Sequence, residues 1–202
     1  GTMSFPPEVR ETPEQLVTRM AKAGRAAQRV LARLDHDAKA AALQAAARAL
    51  RADSAAVLAA NAEDLAAGRA AGLTPAMLDR LMLDPVRLES IAAAVEAVAA
   101  LPDPVGQVID SAVRPNGLEL SRVRVPVGLI RIIYESRPNV TADAAALGFA
   151  SGNAVLLRGG SEAVRSNHAV HAAMVRGLES AGVPVEAVQL LPTQDRAAVG
   201  AM

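Results

Sequence analysis

Two short polar stretches hold most of the residues able to do chemistry: Glu135-Ser136-Arg137-Pro138-Asn139 and Arg158-Gly159-Gly160-Ser161-Glu162. The Asn139 carboxamide N–H₂ can donate to an oxyanion, although asparagine is also an ordinary turn residue. In the second stretch, adjacent glycines free backbone N–H groups just ahead of a helix start, which can cradle a phosphate. The stretch matches neither GxGxxG nor GxxxxGK[ST], and a plain tight turn also uses glycines, so both readings stand. His168 and His171 share a helix face at a spacing that can hold a metal. No third ligand is near them, and they read as partly exposed polar residues rather than as a metal site. The chain has no cysteine, so disulfides, thiolate metal sites and cysteine nucleophiles are absent from it.

The elements that must position these stretches are legible in the apolar pattern. Val127-Gly-Leu-Ile-Arg-Ile-Ile133 is long enough for a buried strand and ends at the first polar stretch. A helical pattern over Thr141 to Ser151, closed by Gly152, leads to a second apolar run, Ala154-Val-Leu-Leu157, which ends at the other polar stretch. A helix from Glu162 to Ala181, closed by Gly182, and a third strand, Val188-Gln-Leu-Leu191, follow. Strand, helix, strand, helix predicts a parallel sheet. Ligands of such sheets bind beyond the C-terminal strand ends, where both polar stretches fall. Thr193-Gln-Asp195 then opens a helix that breaks off at Met202, as in a chain cut short.

Ahead of this unit the pattern is helical. Thr12-Pro-Glu-Gln15 has capping-box spacing, and Leu16, Met20, Ala23, Ala27, Leu31 and Leu34 recur on one helix face. Asp35 or Asp37 can cap a second helix and Asp53-Ser54 a third, while Thr74-Pro75 and Asp84-Pro85 open two more. These helices are expected to cover a sheet. After Pro102-Asp-Pro104, Val105 to Val113 and Leu118 to Val125 flank Arg114-Pro-Asn-Gly117. That is a hairpin signature with Arg122 and Arg124 on a wet face, as solvated edge charges.

Composition narrows the partners. Lys+Arg and Asp+Glu are 21 each and aromatic residues make up 1%, which argues against nucleic acid and anionic membranes. No apolar run approaches a membrane span and no signal peptide is visible, so a cytoplasmic protein with a small-molecule substrate is the expectation. Apolar residues make up 51%, much of it alanine, which suits closely packed helices. Gly1-Thr2 ahead of Met3 reads as a cloning remnant.

The strings Val125-Pro-Val-Gly-Leu129, Ile133-Tyr-Glu-Ser-Arg-Pro-Asn-Val-Thr141, Ser151-Gly-Asn-Ala-Val155 and Leu157-Arg-Gly-Gly-Ser-Glu-Ala163 resemble the γ-glutamyl phosphate reductase family, also called glutamate-5-semialdehyde dehydrogenases. The family is a branch of the aldehyde dehydrogenase superfamily. Nearly the whole chain takes part in the resemblance, including the Pro-Asn-Gly hairpin and Leu191 to Met202, but it spans only the N-terminal half of the family's length. The resemblance implies an α/β, aldehyde-dehydrogenase-like fold: N-terminal helices (residues 1–104), an oligomerisation hairpin (105–125) that makes the protein a homo-oligomer, and the first part of a Rossmann-like NADP-binding sheet (126–202). It also implies NADPH-dependent reduction of L-glutamate 5-phosphate to the semialdehyde, in proline biosynthesis. The thioester of that reaction forms on a cysteine this chain lacks, so the segment alone is expected to be inactive. By the same resemblance Asn139 is the oxyanion donor and Glu135, Ser136, Arg137 and Pro138 line the nicotinamide end of the groove. Arg158, with Ser161 and Glu162 beside it, meets the adenosine ribose and its 2′-phosphate. The alternatives are another member of the superfamily and a non-catalytic nucleotide-binding module.

Overall fold

The structure is a computed structural model that describes residues 11–103, 108–113, 119–123, 128–134 and 137–192. The expected helix from Thr193 onward and the turn at Arg114–Gly117 lie outside the described residues. Helix α1 (Pro13–Leu31) begins with a full capping box: Thr12 Oγ1 accepts from the Gln15 amide at 3.1 Å, and the Thr12 amide donates to Gln15 Oε1 at 2.9 Å. Helix α2 (His36–Ala52) is capped by Asp35, whose Oδ1 accepts from the Ala38 amide at 2.8 Å. Asp53 precedes α3 (Ser54–Ala70) without capping it; its carboxylate pairs instead with Arg176 of a later helix. Thr74 and Asp84 cap α4 (Pro75–Leu81) and α5 (Pro85–Ala99), each with proline in the first turn. A proline there loses nothing, because that N–H has no partner within the helix.

Strands β1 (Val108–Val113) and β2 (Glu119–Val123) pair antiparallel, from Val108 opposite Val123 to Val113 opposite Glu119. They form a ribbon separate from the parallel sheet of β3 (Leu129–Ile133), β4 (Ala154–Arg158) and β5 (Val188–Leu190), ordered β3-β4-β5. Helix α6 (Asn139–Ala150) crosses from β3 to β4, and α7 (Val164–Ser180) from β4 to β5. The expectation that the first strand is buried fails in part. Among the described residues β3 is an edge strand, with Ile133 51% exposed, while β4 is the buried one.

On β4 the alternation of side chains divides the core. Val155 and Leu157 join the large cluster built from α2, α5, α6 and α7, while Leu156 joins Val17, Met20 and Leu191 under α1. So α1 covers one face of the sheet and α6 and α7 the other. Helices α2 and α5 stack on α6 and α7 as a further layer rather than on the sheet. Small residues let these helices approach: a Cβ on Gly177 of α7 would lie 2.5 Å from the Ala46 Cα of α2. No helix among the described residues is long and apolar enough to cross a membrane.

The two histidines stand in different surroundings. His168 is exposed, whereas His171 points inward and its Nε2–H donates to the Val188 carbonyl at 2.8 Å, tying α7 to β5. Burial, with His168 one turn away, holds the His171 pKa below its ordinary value, and the bond to Val188 only partly offsets this. Its stabilising contribution is therefore complete above about pH 6.5, the unfolded value, and is lost as pH falls toward the depressed folded value. His171→Gln, which keeps an N–H donor, should flatten the decline of Tm between pH 7 and 5. An unchanged slope would place the acid sensitivity elsewhere.

Candidate functional site

Beyond the C-terminal ends of β3 and β4 the chain makes two turns. The first leads through Arg137 and Pro138 into α6. Pro138 is buried with helical dihedrals, φ −61° and ψ −26°, so its preset φ starts the helix directly and Asn139 becomes its first residue. Asn139 is half-buried and its Nδ2 donates to Asp143 Oδ2, one turn on, at 3.3 Å. That bond uses one amide hydrogen and leaves the other, and Asn139 lines a cleft of about 420 Å³ between α6 and the α4–α5 segment. Arg137, Pro138, Asn139 and Asp143 form one wall of the cleft, and Asp79, Arg80 and Arg87 stand on the other. Glu135 and Ser136 lie outside the described residues.

The second turn leaves β4 at Arg158, which is half-buried, and passes through Gly159 and Gly160 into a short 3-10 turn, Ser161–Ala163, ahead of α7. The helix expected from Glu162 thus begins at Val164. Ser161 is exposed and Glu162 half-buried. The two turns are joined at the backbone, where the Tyr134 amide donates to the Arg158 carbonyl at 3.0 Å.

A buried polar strut also joins them. The Tyr134 hydroxyl bonds Thr141 Oγ1 of α6, which donates to Asn167 Oδ1 of α7 at 3.1 Å. Thr141 and Asn167 are 0% and 2% exposed. Burial pushes the Tyr134 phenol pKa up, and its bond to Thr141 offsets this in part. Gly159 belongs to the same arrangement. A Cβ there would sit 2.1 Å from Asn167 Nδ2 and 3.2 Å from the Tyr134 ring, so the turn needs glycine because the strut fills the space.

The N-terminus of α7 is closed from within. Asp64 of α3, 1% exposed, accepts from the Ser166 amide at 2.7 Å and the Ser166 hydroxyl at 2.6 Å through Oδ2. Its Oδ1 accepts from the Arg165 amide and the Arg165 guanidinium, both at 3.3 Å. A carboxylate thus satisfies first-turn N–H groups at the positive end of the helix dipole. The Arg165 and Ser166 amides are thus taken by an anion from within the fold, and both readings of the Arg158–Glu162 turn itself stand. Asn61, one turn earlier, holds the Leu81 carbonyl at 2.8 Å and the Leu83 amide at 2.8 Å and also donates to Ser166 Oγ at 3.1 Å, and so ties the end of α4 to α7. The N-terminal helices, expected to cover the sheet, thus also brace the helix starts beside it; of them α1 alone lies on the sheet. The sequence signal was present: Val57, Asn61, Asp64 and Gly68 form the buried stripe of α3, and two of the four are polar.

Removing the Asp64 carboxylate leaves buried donors unmet, at about 1–3 kcal/mol each. Asp64→Ala should lower Tm by roughly 5–10 °C for a chain of this size. A melting curve matching wild type would show that the cap contributes nothing.

The donor set of the second turn fits a nucleotide. It carries the Arg158 guanidinium, the Ser161 hydroxyl and the Glu162 carboxylate, a set of types suited to ribose hydroxyls and a charged substituent on them.

This three-stranded parallel sheet with its flanking helices has the fold of the matching part of aldehyde dehydrogenases. It matches an acetylating aldehyde dehydrogenase from Geobacillus thermoglucosidasius at TM-score 0.66 over 94% of this chain and 39% of that one, with 15% identity. A crystal structure of γ-glutamyl phosphate reductase from Thermotoga maritima matches at TM-score 0.83 and 41% identity, over 91% of this chain and 44% of that one. In sequence, the γ-glutamyl phosphate reductase of Novosphingobium aromaticivorans is 64% identical over 197 residues, 98% of this chain and 46% of that protein. No family model matches the chain. The chain is thus a homologue of the N-terminal half of γ-glutamyl phosphate reductases, and it spans about half the length of the curated relatives it matches.

Proposed function

We propose that this chain is the oxyanion-stabilising and cofactor-binding half of an NADPH-dependent γ-glutamyl phosphate reductase, which makes L-glutamate 5-semialdehyde from L-glutamate 5-phosphate in proline biosynthesis. One observation carries the reading. Asn139 stands on a cleft wall beside the Arg158 turn, in a chain 64% identical to half of such a reductase.

Asn139 donates its remaining N–H to the substrate carbonyl oxygen as that carbon becomes tetrahedral and the oxygen gains negative charge. Asp143 fixes the carboxamide so that a donor, not the carbonyl, faces the reacting group. The nucleophile for an acyl phosphate is a thiolate, and this chain contains no cysteine, so that group lies outside these 202 residues. Arg158 and Ser161 hold the adenosine ribose and its 2′-phosphate, Glu162 accepts from a remaining ribose hydroxyl, and Glu135 to Pro138 line the nicotinamide end. A bound nicotinamide cofactor supplies the hydride. The same reading places the protein in the cytoplasm as a homo-oligomer. The β1–β2 ribbon supports this, since an isolated two-stranded hairpin is marginal in water and gains from a partner copy.

The test is a full-length reductase carrying these residues, assayed with NADPH against glutamyl phosphate and a panel of simple acyl phosphates and aldehydes. Glutamyl phosphate should give the highest kcat/KM. A preference for another substrate would move the protein elsewhere in the superfamily.

A further inference from the structure

The wall of the cleft opposite Asn139 holds cations with different duties. Arg87 is committed to the α4–α5 connection: its guanidinium donates to the carbonyls of Asp79 at 2.5 Å and Met82 at 3.0 Å, and pairs with the Asp79 carboxylate at 2.9 Å. That pair leaves Asp79 and Arg87 neutral together. Asp143 is engaged by Asn139. Arg80, on α4 beside them, lines the cleft and makes no hydrogen bond or ion pair with any other described residue. Between the walls lie Met82, Leu83, Ile91 and Ala94. Arg137, on the Asn139 wall, is the other lining cation with no side-chain partner among the described residues, and of the two only Arg80 faces Asn139 from the opposite wall. An apolar floor with these cations suits a short carbon chain ending in an anion, and about 420 Å³ is within the range of small-molecule sites.

We propose that Arg80 is a specificity-determining residue of the reductase, binding an anionic group of the substrate, carboxylate or phosphoryl, across the cleft from Asn139. This rests on the functional reading above and adds the group that recognises substrate charge. A guanidinium meets either oxyanion with paired N–H donors, and neither an uncharged aldehyde nor an amide offers it an equivalent partner. Because the cleft is open and Arg80 is exposed, its contribution is to substrate capture rather than to the reacting carbon. It raises affinity for ground state and transition state alike, which appears in KM and not in kcat.

The test uses a full-length reductase carrying these residues with Arg80→Gln and Arg80→Lys. For glutamyl phosphate, Arg80→Gln should raise KM about ten- to a hundredfold, the range of a lost charge-assisted contact, with kcat within about twofold and NADPH affinity unchanged. Arg80→Lys should recover part of the loss. The reverse reaction identifies the anion: semialdehyde, inorganic phosphate and NADP⁺ give glutamyl phosphate and NADPH. A raised KM for phosphate assigns Arg80 to the phosphoryl group, and a raised KM for the semialdehyde assigns it to the carboxylate. KM unchanged in both directions overturns the proposal. A measurement independent of turnover keeps it apart from the functional reading. Glutarate and inorganic phosphate, each added to the full-length protein, should raise the Tm of wild type by more than that of Arg80→Gln for at least one of the two. Equal shifts for both anions overturn the Arg80 assignment even if the protein proves to reduce another acyl phosphate. Loss of activity toward glutamyl phosphate with an Arg80-dependent Tm shift would overturn the substrate identity instead.

Discussion

Replacing Asn139 by alanine in a full-length reductase carrying these residues should lower kcat by roughly a hundred- to a thousandfold while leaving NADPH affinity nearly unchanged. The magnitude is that of one lost oxyanion donor, about 2.7–4 kcal/mol of transition-state stabilisation. The structure separates this effect from instability. Asn139 is the first residue of α6, half-buried, and its side chain makes a single long hydrogen bond, to Asp143 at 3.3 Å. The strut that holds the turn runs through Tyr134, Thr141 and Asn167 and does not include it. Cofactor affinity is spared because Arg158 reaches the turn through another strand end. A mutant with wild-type turnover would reduce Asn139 to a helix-start residue.

The second large effect concerns the cofactor. Arg158→Gln in the full-length protein should weaken NADPH about ten- to a hundredfold and NADH far less, because only NADPH carries a 2′-phosphate for the guanidinium to meet. The Arg158 backbone stays in place through its bonds to β3 and to Tyr134, so the turn keeps its course when the side chain shortens. If Arg158 instead mainly packs across the glycine turn, both cofactors weaken together and Tm falls with them. Titrating both cofactors against wild type and variant distinguishes these outcomes.

Much of this arrangement is legible in local sequence, because local physics decides it. The apolar runs at Leu129–Ile133, Ala154–Arg158 and Val188–Leu190, of five, five and three residues, are strands because each is too short for a helix and gains by pairing in the sheet. Thr12, Asp35, Thr74 and Asp84 act as caps because each side chain reaches an amide three residues on. The starts of α6 and α7 shift by two residues for reasons that local pattern does not weigh. Pro138 adopts helical dihedrals itself, and the double glycine lets a 3-10 turn precede α7. Asp53 is a failed cap for another reason: an arginine on α7 claims its carboxylate.

The supports of the site could not be read this way. Asp64 closes the N-terminus of a helix 102 residues later, and Asn167 meets Thr141 across 26. Such pairings appear only when the tertiary fold brings two buried stripes together. The polar members of the α3 stripe were visible, but their partners were not. The cleft wall around Arg80 is likewise a product of how α4 and α5 pack near α6. The Asn139 and Arg158 stretches were found from their residue types and from where parallel sheets place their ligands.

If these residues supply the oxyanion donor and cofactor side of an acyl phosphate reductase, the thiol must come from outside them. The most direct test is NADPH oxidation dependent on glutamyl phosphate, measured side by side for the purified 202-residue chain and a full-length reductase carrying it. Turnover is expected from the full-length protein and none from the chain, which has no cysteine to form the thioester. Turnover by the chain alone, or an inactive full-length protein that still binds NADPH, would contradict this assignment.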